Sequence, residues 1–99
     1  MIDLAKISGF DWDRGNARKN DKHAVDQSEA EEVFFNHPLL MLEDLRHRDQ
    51  EIRFHALGRT LEGRLLHITF TLREGDTLIR VISARDMHRK ERIIYEQAR

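Results

Sequence analysis

Four runs of apolar, β-branched and aromatic residues follow one another from residue 39 onwards, and they constrain the fold more than any other feature of the chain. The last three runs are separated by short links, Glu62-Gly63 and Glu74-Gly75-Asp76, which are typical of hairpin turns. Strands joined by such short links pair as antiparallel neighbours. The sequence therefore predicts a four-stranded antiparallel meander with strands at residues 39–45, 52–59, 64–72 and 77–84.

Two helices are predicted before these strands and one after them. Asp13 is the predicted N-cap of a short polar helix that reaches about residue 22. Ser28 and Glu31 have the spacing of a capping box, and apolar residues at helical spacing follow them. A last helix, capped by Ser83 or Asp86, is predicted to reach about residue 97. We thus expect an α+β fold with two N-terminal helices, the four-stranded meander and one C-terminal helix, forming a single domain over residues 1–99.

The composition excludes several classes of protein. The chain contains no cysteine, which excludes a disulfide framework, a thiolate zinc site and a cysteine nucleophile. The first ten residues lack the apolar core of a signal peptide, and no apolar run is long enough to span a membrane. We expect a cytoplasmic protein that does not contact a membrane.

Metal and cofactor sites are not predicted. The six histidines are scattered, and none has a second histidine or a carboxylate at a metal-ligand spacing. His55 and His67 fall on neighbouring predicted strands and are able to approach each other, so they are the best candidates for a metal pair. Neither glycine-rich phosphate-loop motif is present, so we expect no metal and no cofactor.

Positive charge is concentrated locally although the formal net charge is −1. Arginine binds phosphate through two parallel hydrogen bonds, so such clusters favour a phosphate-binding function. Arginines that alternate with glutamates are also typical of a solvated helix face, and strand arginines also protect sheet edges, so these interpretations stay open. The cationic positions are Arg14, Arg18, Lys19, Lys22 and His23 near the N-terminus, Arg53, Arg59 and Arg80 on predicted strands, and Arg85, Arg89 and Arg92 on the predicted last helix.

Six segments of this chain, in this order, resemble the BrnT family of bacterial toxins. The resemblance extends from about residue 10 to residue 95, and the ordered set is specific although each motif alone is weak. Ala24 departs from the family, which commonly has glycine after the Lys-His pair. The segments are Gly-Phe-Asp-Trp-Asp at 9–13, Lys-Asn-Asp-Lys-His-Ala-Val at 19–25, Glu-Ala-Glu-Glu-Val-Phe-Phe-Asn at 29–36, Arg-Phe-His-Ala-Leu-Gly-Arg-Thr at 53–60, Glu-Gly-Arg-Leu-Leu at 62–66 and Ile-Arg-Val-Ile-Ser-Ala-Arg at 79–85.

This resemblance implies a compact RelE-like fold and an RNA-cleaving toxin that inhibits translation. It also implies a BrnA-like ribbon-helix-helix antitoxin as partner, with operator DNA bound only through the toxin–antitoxin complex. Metal-independent RNA cleavage uses the ribose 2′-hydroxyl as nucleophile, so the protein has to supply only proton transfer and positive charge. For an RNA substrate the expected catalytic residues are Lys22, His23, Arg53 and Arg80, and the expected RNA-binding residues are Arg59, Arg85, Arg89 and Arg92.

Two other functions remain possible from the sequence. A toxin of the same broad fold is able to act without catalysis, by binding a protein such as a topoisomerase. A degenerate family member is able to persist only as a binding or regulatory protein. Analysis of RNA after induced expression separates the three, because only the first function produces cut RNA.

Overall fold

The computed structural model of the protein describes residues 2–18, 21–47 and 50–98. Within these residues the chain forms two α-helices, five β-strands and three 3₁₀ turns. The helices are α1, Gln27–Val33, and α2, Arg89–Gln97; the strands are β1, Gly9–Phe10, β2, Leu40–Asp44, β3, Arg53–Arg59, β4, Leu65–Arg73, and β5, Leu78–Asp86; the 3₁₀ turns are Leu4–Lys6, Asp21–His23 and Leu45–His47.

The five strands form one mixed sheet in the order β1-β5-β4-β3-β2. Strands β2 to β5 pair in sequence as antiparallel neighbours, whereas β1 pairs in parallel with β5 through Gly9 and Phe10. The predicted four-stranded antiparallel meander is therefore wrong. The extra strand has only two residues and its partner lies at the far end of the sequence, so no local periodicity indicates it.

The predicted pair of N-terminal helices is also wrong, because α1 is the only α-helix that precedes β2 within the described residues. Residues 14–18 form turns instead of the predicted first helix, and Lys19 and Asn20 lie outside the described residues. Asn16 explains the difference. Its side chain accepts a hydrogen bond from the Asp13 backbone and donates to the backbone oxygens of Asp11 and Val81, which competes with helix formation.

Helix α1 begins two residues earlier than the predicted capping box. Asp26 is the N-cap, and the Glu29 side chain accepts a hydrogen bond of 3.1 Å from the Asp26 backbone N–H. Glu31, the predicted partner of Ser28, instead accepts a hydrogen bond of 2.7 Å from the indole Nε1–H of Trp12. This bond ties the segment after β1 to α1.

Helix α2 begins later than predicted, with His88 as its N-cap. The Glu91 side chain accepts a hydrogen bond of 2.8 Å from the His88 backbone N–H. The predicted caps Ser83 and Asp86 are wrong because β5 continues to Asp86, whose neighbour Arg85 pairs with His67 on β4. Arg85 therefore belongs to the sheet and not to the last helix.

One face of the sheet, the inner face, carries the hydrophobic core beneath α1. Gly58 lies directly under Val33 of α1, so close that a Cβ atom at Gly58 would be 2.6 Å from Val33 Cγ1. The Phe34 ring meets the Phe70 ring edge-on at 5.0 Å between centroids. The buried core is formed by Val25, Ala30, Val33, Phe34, Ala56, Leu66, Ile68, Phe70, Ile79, Val81 and Ala84.

The opposite face, the outer face, is partly covered by α2. Tyr95 of α2 is fully buried and its hydroxyl donates a hydrogen bond of 2.6 Å to the Pro38 carbonyl oxygen. Glu91 at the other end of the helix reaches Arg85 on β5. Helix α2 is thereby anchored at both ends, and it leaves the rest of the outer face open.

A β-bulge in β5 decides which of its side chains lie on the outer face. Thr69 pairs with Ser83 and Phe70 pairs with Val81, which leaves Ile82 as the extra residue. Arg80 before the bulge and Arg85 after it therefore share the outer face, although strict alternation would separate them.

Candidate active site

Two rows of side chains cross the outer face of the sheet beside α2. The register of β2 to β5 sets their neighbours, because directly paired residues on one face are in contact. The first row is Leu42, His55, Thr69 and Ser83, and the second row is Leu40, Leu57, His67 and Arg85.

His55 is held between two polar side chains. Its Nε2 lies 2.9 Å from Asp44 Oδ2, and its Nδ1 lies 3.1 Å from Thr69 Oγ1. An ionised carboxylate only accepts hydrogen bonds, so Nε2 carries the proton and Nδ1 of the neutral ring accepts from the Thr69 hydroxyl. The ring is thus fixed in one orientation and one tautomer, with a basic nitrogen turned towards β4.

Asp44 is the ionised member of this group. Hydrogen bonds from the Arg46 side chain, from the Arg46 backbone and from His55 hold the pKa of the Asp44 carboxyl well below its usual range. The Arg46 guanidinium binds both carboxylate oxygens, at 3.0 and 2.9 Å. Because the Asp44 side chain is only 5% exposed, its negative charge acts on His55 at short range with little screening.

His67 lies beside His55, with the ring centroids 4.9 Å apart. Burial, reinforced by the positive charge of Arg85, lowers the pKa of His67 to about 4, so this ring is neutral at neutral pH. Its Nδ1 is buried and has no hydrogen-bond partner among the described residues. The pair therefore combines His55, which has a polar partner at each ring nitrogen, with His67, whose Nδ1 has no partner among the described residues.

Glu91 closes the site from α2. Burial opposes its ionisation, but hydrogen bonds from the Arg85 side chain and the His88 backbone outweigh that effect and lower the pKa of Glu91 to about 2. Its two oxygens accept from the Arg85 guanidinium at 2.8 and 3.0 Å. This ion pair fixes the start of α2 against the sheet.

The outer-face arginines differ in how far their charge is already neutralised. Arg80 binds Asp13 through two hydrogen bonds of 3.0 Å and has Asp11 at 3.5 Å. Arg53, two residues before His55, has only Glu51 at 3.9 Å as an ion-pair partner within the described residues, and its buried Nε has no hydrogen-bond partner there. Arg53 therefore retains an unused donor next to the histidines.

A family model described as the ribonuclease toxin, BrnT, of a type II toxin–antitoxin system matches residues 12–91. The chain belongs to the BrnT family. It is therefore a ribonuclease toxin whose partner is the antitoxin of that system. No curated protein matches the chain.

The BrnT fold brings some of the predicted site residues together and separates others. Arg53, Arg80 and Arg85 share the outer face with the histidines. Lys22 and His23 lie in the 3₁₀ turn Asp21–His23. The side chain of Arg64 holds this turn, because its guanidinium donates to the backbone oxygens of His23 and Ala24 and binds Asp86 and Glu29.

The Lys22–His23 turn therefore packs near Asp86 at the end of β5. Asp86 is six residues beyond Arg80, so the turn is separated from Arg80 by about 20 Å along the strand. Arg59 lies at this same end of the sheet, because it pairs with Leu65 next to the Leu66–Asp86 pair, and it donates to the His37 carbonyl oxygen at 2.7 Å. Arg89 and Arg92 are exposed on α2. The roles predicted for these residues stay predictions.

Sequence reasoning missed Asp44 and Thr69, and it did not count His55 or His67 among the expected catalytic residues. Their approach follows from the hairpin register, so the adjacency of the histidines was predictable. The involvement of Asp44 depends on how β2 pairs with β3, across a link that does not fix the register. Within residues 2–18, 21–47 and 50–98, no group of three or more metal-binding side chains is placed to hold an ion.

None of the helices in the described part of the chain has the length and apolar character that crossing a membrane requires.

Proposed function

We propose that this BrnT-family toxin is an endoribonuclease that cuts RNA on the outer face of its sheet without a metal ion, and that it inhibits translation in the cytoplasm by doing so. The observation that carries the proposal is His55, with Asp44 behind one ring nitrogen and a basic nitrogen on the other side, 3.1 Å from the Thr69 hydroxyl. A carboxylate that orients a histidine and stabilises its protonated form is the arrangement that general-base catalysis uses.

In the proposed reaction the ribose 2′-hydroxyl takes the place of the Thr69 hydroxyl at His55 Nδ1. His55 removes the 2′-hydroxyl proton while the 2′-oxygen forms a bond to phosphorus. The bond between phosphorus and the 5′-oxygen breaks, the 5′-oxygen takes a proton from solvent, and His55 later returns its proton to solvent. The products are a 2′,3′-cyclic phosphate and a 5′-hydroxyl end.

The neighbouring groups support this reaction electrostatically. His67 remains neutral, so it does not repel the positive charge that develops on His55. The Arg53 side chain is partly exposed and has only one distant ion-pair partner among the described residues, so its guanidinium is the closest candidate for a phosphate oxygen. Arg80 and Arg85 would contribute only where a phosphate competes with Asp13 and Glu91 for their guanidinium groups. We retain Lys22 and His23 as a second candidate pair for proton transfer or phosphate orientation, and Arg59, Arg89 and Arg92 as contacts for flanking phosphates.

The proposed antitoxin is a BrnA-like ribbon-helix-helix protein that covers the outer face, and the pair binds operator DNA together. The exposed cations of the toxin offer complementary charge to an acidic segment of such a partner. The net charge of −1 favours this local form of recognition over general attraction to nucleic acid.

The decisive experiment compares the intact chain with three variants, His55→Ala, Arg53→Ala and Lys22→Ala/His23→Ala, by growth, total RNA analysis and in vitro cleavage in EDTA. We expect growth arrest and RNA with 2′,3′-cyclic phosphate ends from the intact chain. Cleavage should fall at least about 100-fold in His55→Ala and less in the other two.

Undiminished cleavage by His55→Ala together with loss in Lys22→Ala/His23→Ala would move the catalytic centre to the 3₁₀ turn. Arrest with intact RNA would instead indicate a protein target, such as a topoisomerase. Harmless expression of the intact chain would indicate a degenerate toxin that is kept for its partner interactions.

A further inference from the structure

An apolar cleft of about 250 Å³ opens on the outer face directly beside the histidine pair. Its walls are four aliphatic side chains from three elements, and the rings of His55 and His67 and the side chain of Glu91 border it. The aliphatic residues are Leu40 and Leu42 of β2, Leu57 of β3 and Ile94 of α2.

Two of these walls are unusually exposed. Leu42 is 63% exposed and Ile94 is 53% exposed, although each lies beside side chains that are more deeply packed. Exposed aliphatic groups that face each other across a cleft gain free energy when a flat apolar surface fills it. The cleft is thus suited to an apolar group rather than to a phosphate.

The order of side chains along β3 matches the order of groups in a nucleotide. Arg53, His55 and Leu57 follow one another on the outer face at every second residue. In a ribonucleotide the 2′-hydroxyl lies between the 3′-phosphate on one side and the base on the other. A ribose with its 2′-hydroxyl at His55 and its 3′-phosphate towards Arg53 therefore directs its base towards Leu57 and the cleft.

We propose that this cleft binds the nucleobase of the nucleotide whose 2′-hydroxyl attacks, and that it thereby selects the site of cleavage. This inference rests on the proposed ribonuclease function. Stacking of a base on an aromatic ring contributes about 5- to 150-fold in binding, and the imidazole rings of His55 and His67 border this cleft. An aliphatic side chain of the antitoxin is the competing occupant.

The activity test uses DNA oligonucleotides that contain a single ribonucleotide, so that only one bond can be cut. One substrate has a normal base at that position and the other is abasic. The intact chain should cut the base-bearing substrate at least about tenfold faster. Leu42→Ala/Ile94→Ala should lose most of this preference, measured as the ratio of its own rates on the two substrates.

The matched control is Leu61→Ala, because Leu61 is 75% exposed and lies on the β3–β4 turn, outside the cleft. This variant should keep the full preference. Equal rates on the two substrates with the intact chain, or an unchanged preference in the double variant, would overturn the inference.

A binding measurement separates the two proposals. The methyl resonances of Leu42 and Ile94 should shift when adenosine 3′-monophosphate is added and remain in place when inorganic phosphate is added. Shifts without any RNA cleavage would reject the ribonuclease mechanism and retain the cleft. RNA cleavage without these shifts would reject base binding in the cleft and leave the ribonuclease function intact. Shifts that appear only when the antitoxin is added would also reject base binding.

Discussion

His55 illustrates how a histidine on a sheet surface acquires a defined chemical state. Alternation along β3 places it on the outer face, the pairing with β4 places Thr69 at one nitrogen, and the pairing with β2 brings Asp44 to the other. Each contact comes from a different strand. The orientation of the ring is therefore a property of the whole sheet and not of the local sequence.

Replacing Asp44 by asparagine should reduce RNA cleavage at least about 100-fold, because the neutral amide does not stabilise the protonated ring and its NH2 group favours the other tautomer of His55. The expected change is in kcat at constant KM. Circular dichroism should show an unchanged fold at neutral pH. Glu43→Gln is the control, since Glu43 is the adjacent carboxylate on β2 and points to the other face. Equal activity of Asp44→Asn and the intact chain would remove Asp44 from the mechanism.

His67 should make stability depend on pH in the acidic range. Its pKa is about 4 in the folded protein and 6.5 as a free side chain, so between these values the unfolded chain binds a proton that the folded chain does not. Lowering the pH through this range should therefore reduce the free energy of unfolding, by about 3 kcal/mol in total and about 2 kcal/mol between pH 7 and pH 5.

Urea denaturation of the intact chain and of His67→Gln at the two pH values measures this effect. The variant should lose that part of the pH dependence, whatever its stability at pH 7. His23→Gln, which changes an exposed histidine, should keep it. The interpretation fails if the free energy of unfolding changes equally between the two pH values in His67→Gln and in the intact chain.

At the scale of elements, the contact between α1 and β3 depends on the absence of a side chain at Gly58. Gly58→Ala should lower the free energy of unfolding by about 1–3 kcal/mol, because the new methyl group overlaps Val33. In Val33→Ala/Gly58→Ala that overlap is relieved, so the double variant should be more stable than the sum of the single effects predicts, by about 1 kcal/mol.

Thermal or urea denaturation of the four proteins measures this coupling. Gly9→Ala is the control, because a Cβ at Gly9 meets only an ordinary contact of 3.6 Å with Leu78. Additive effects of the two changes would show that α1 adapts to the methyl group without strain.

The strands were predictable because alternation and hairpin turns are local signals. The observed β3 and β4 agree with the predicted runs within a residue, and Gly63 and Gly75 have the positive φ angles that such turns require. Strand β1 and the turn around Asn16 were not predictable, since both depend on hydrogen bonds to β5, which lies far along the sequence. The bulge at Ile82 has no local signal either, and it alone decides that Arg85 reaches the outer face.

The part of the candidate site on β3 and β4 was predictable from the sequence, whereas the position of the Lys22–His23 turn was not. Alternation along a strand is a local signal that places Arg53, His55 and Arg59 on one face, and the hairpin register places His67 next to His55. Lys22 and His23 stand out in the sequence because they belong to a cationic cluster, but charge does not indicate where a turn packs. Only the contacts of Arg64 place that turn at the end of β5.

At the scale of the whole molecule, one sheet supports two different surfaces. The inner face and α1 form the core, whereas the outer face and α2 frame the candidate site. Because every element packs on the same sheet, the chain should unfold as a single cooperative unit. Calorimetry should give equal calorimetric and van't Hoff enthalpies. A second transition would contradict the single-domain prediction.

Trp12 is the only tryptophan in the chain, and its indole nitrogen is bonded to Glu31 of α1. The protein therefore contains an intrinsic fluorophore at the junction between its N-terminal segment and its core helix. Excitation at the red edge of the protein spectrum reports on this junction alone, because tyrosine does not absorb there. Any ligand or antitoxin that moves the N-terminal segment can thus be followed by emission colour in real time, without a label.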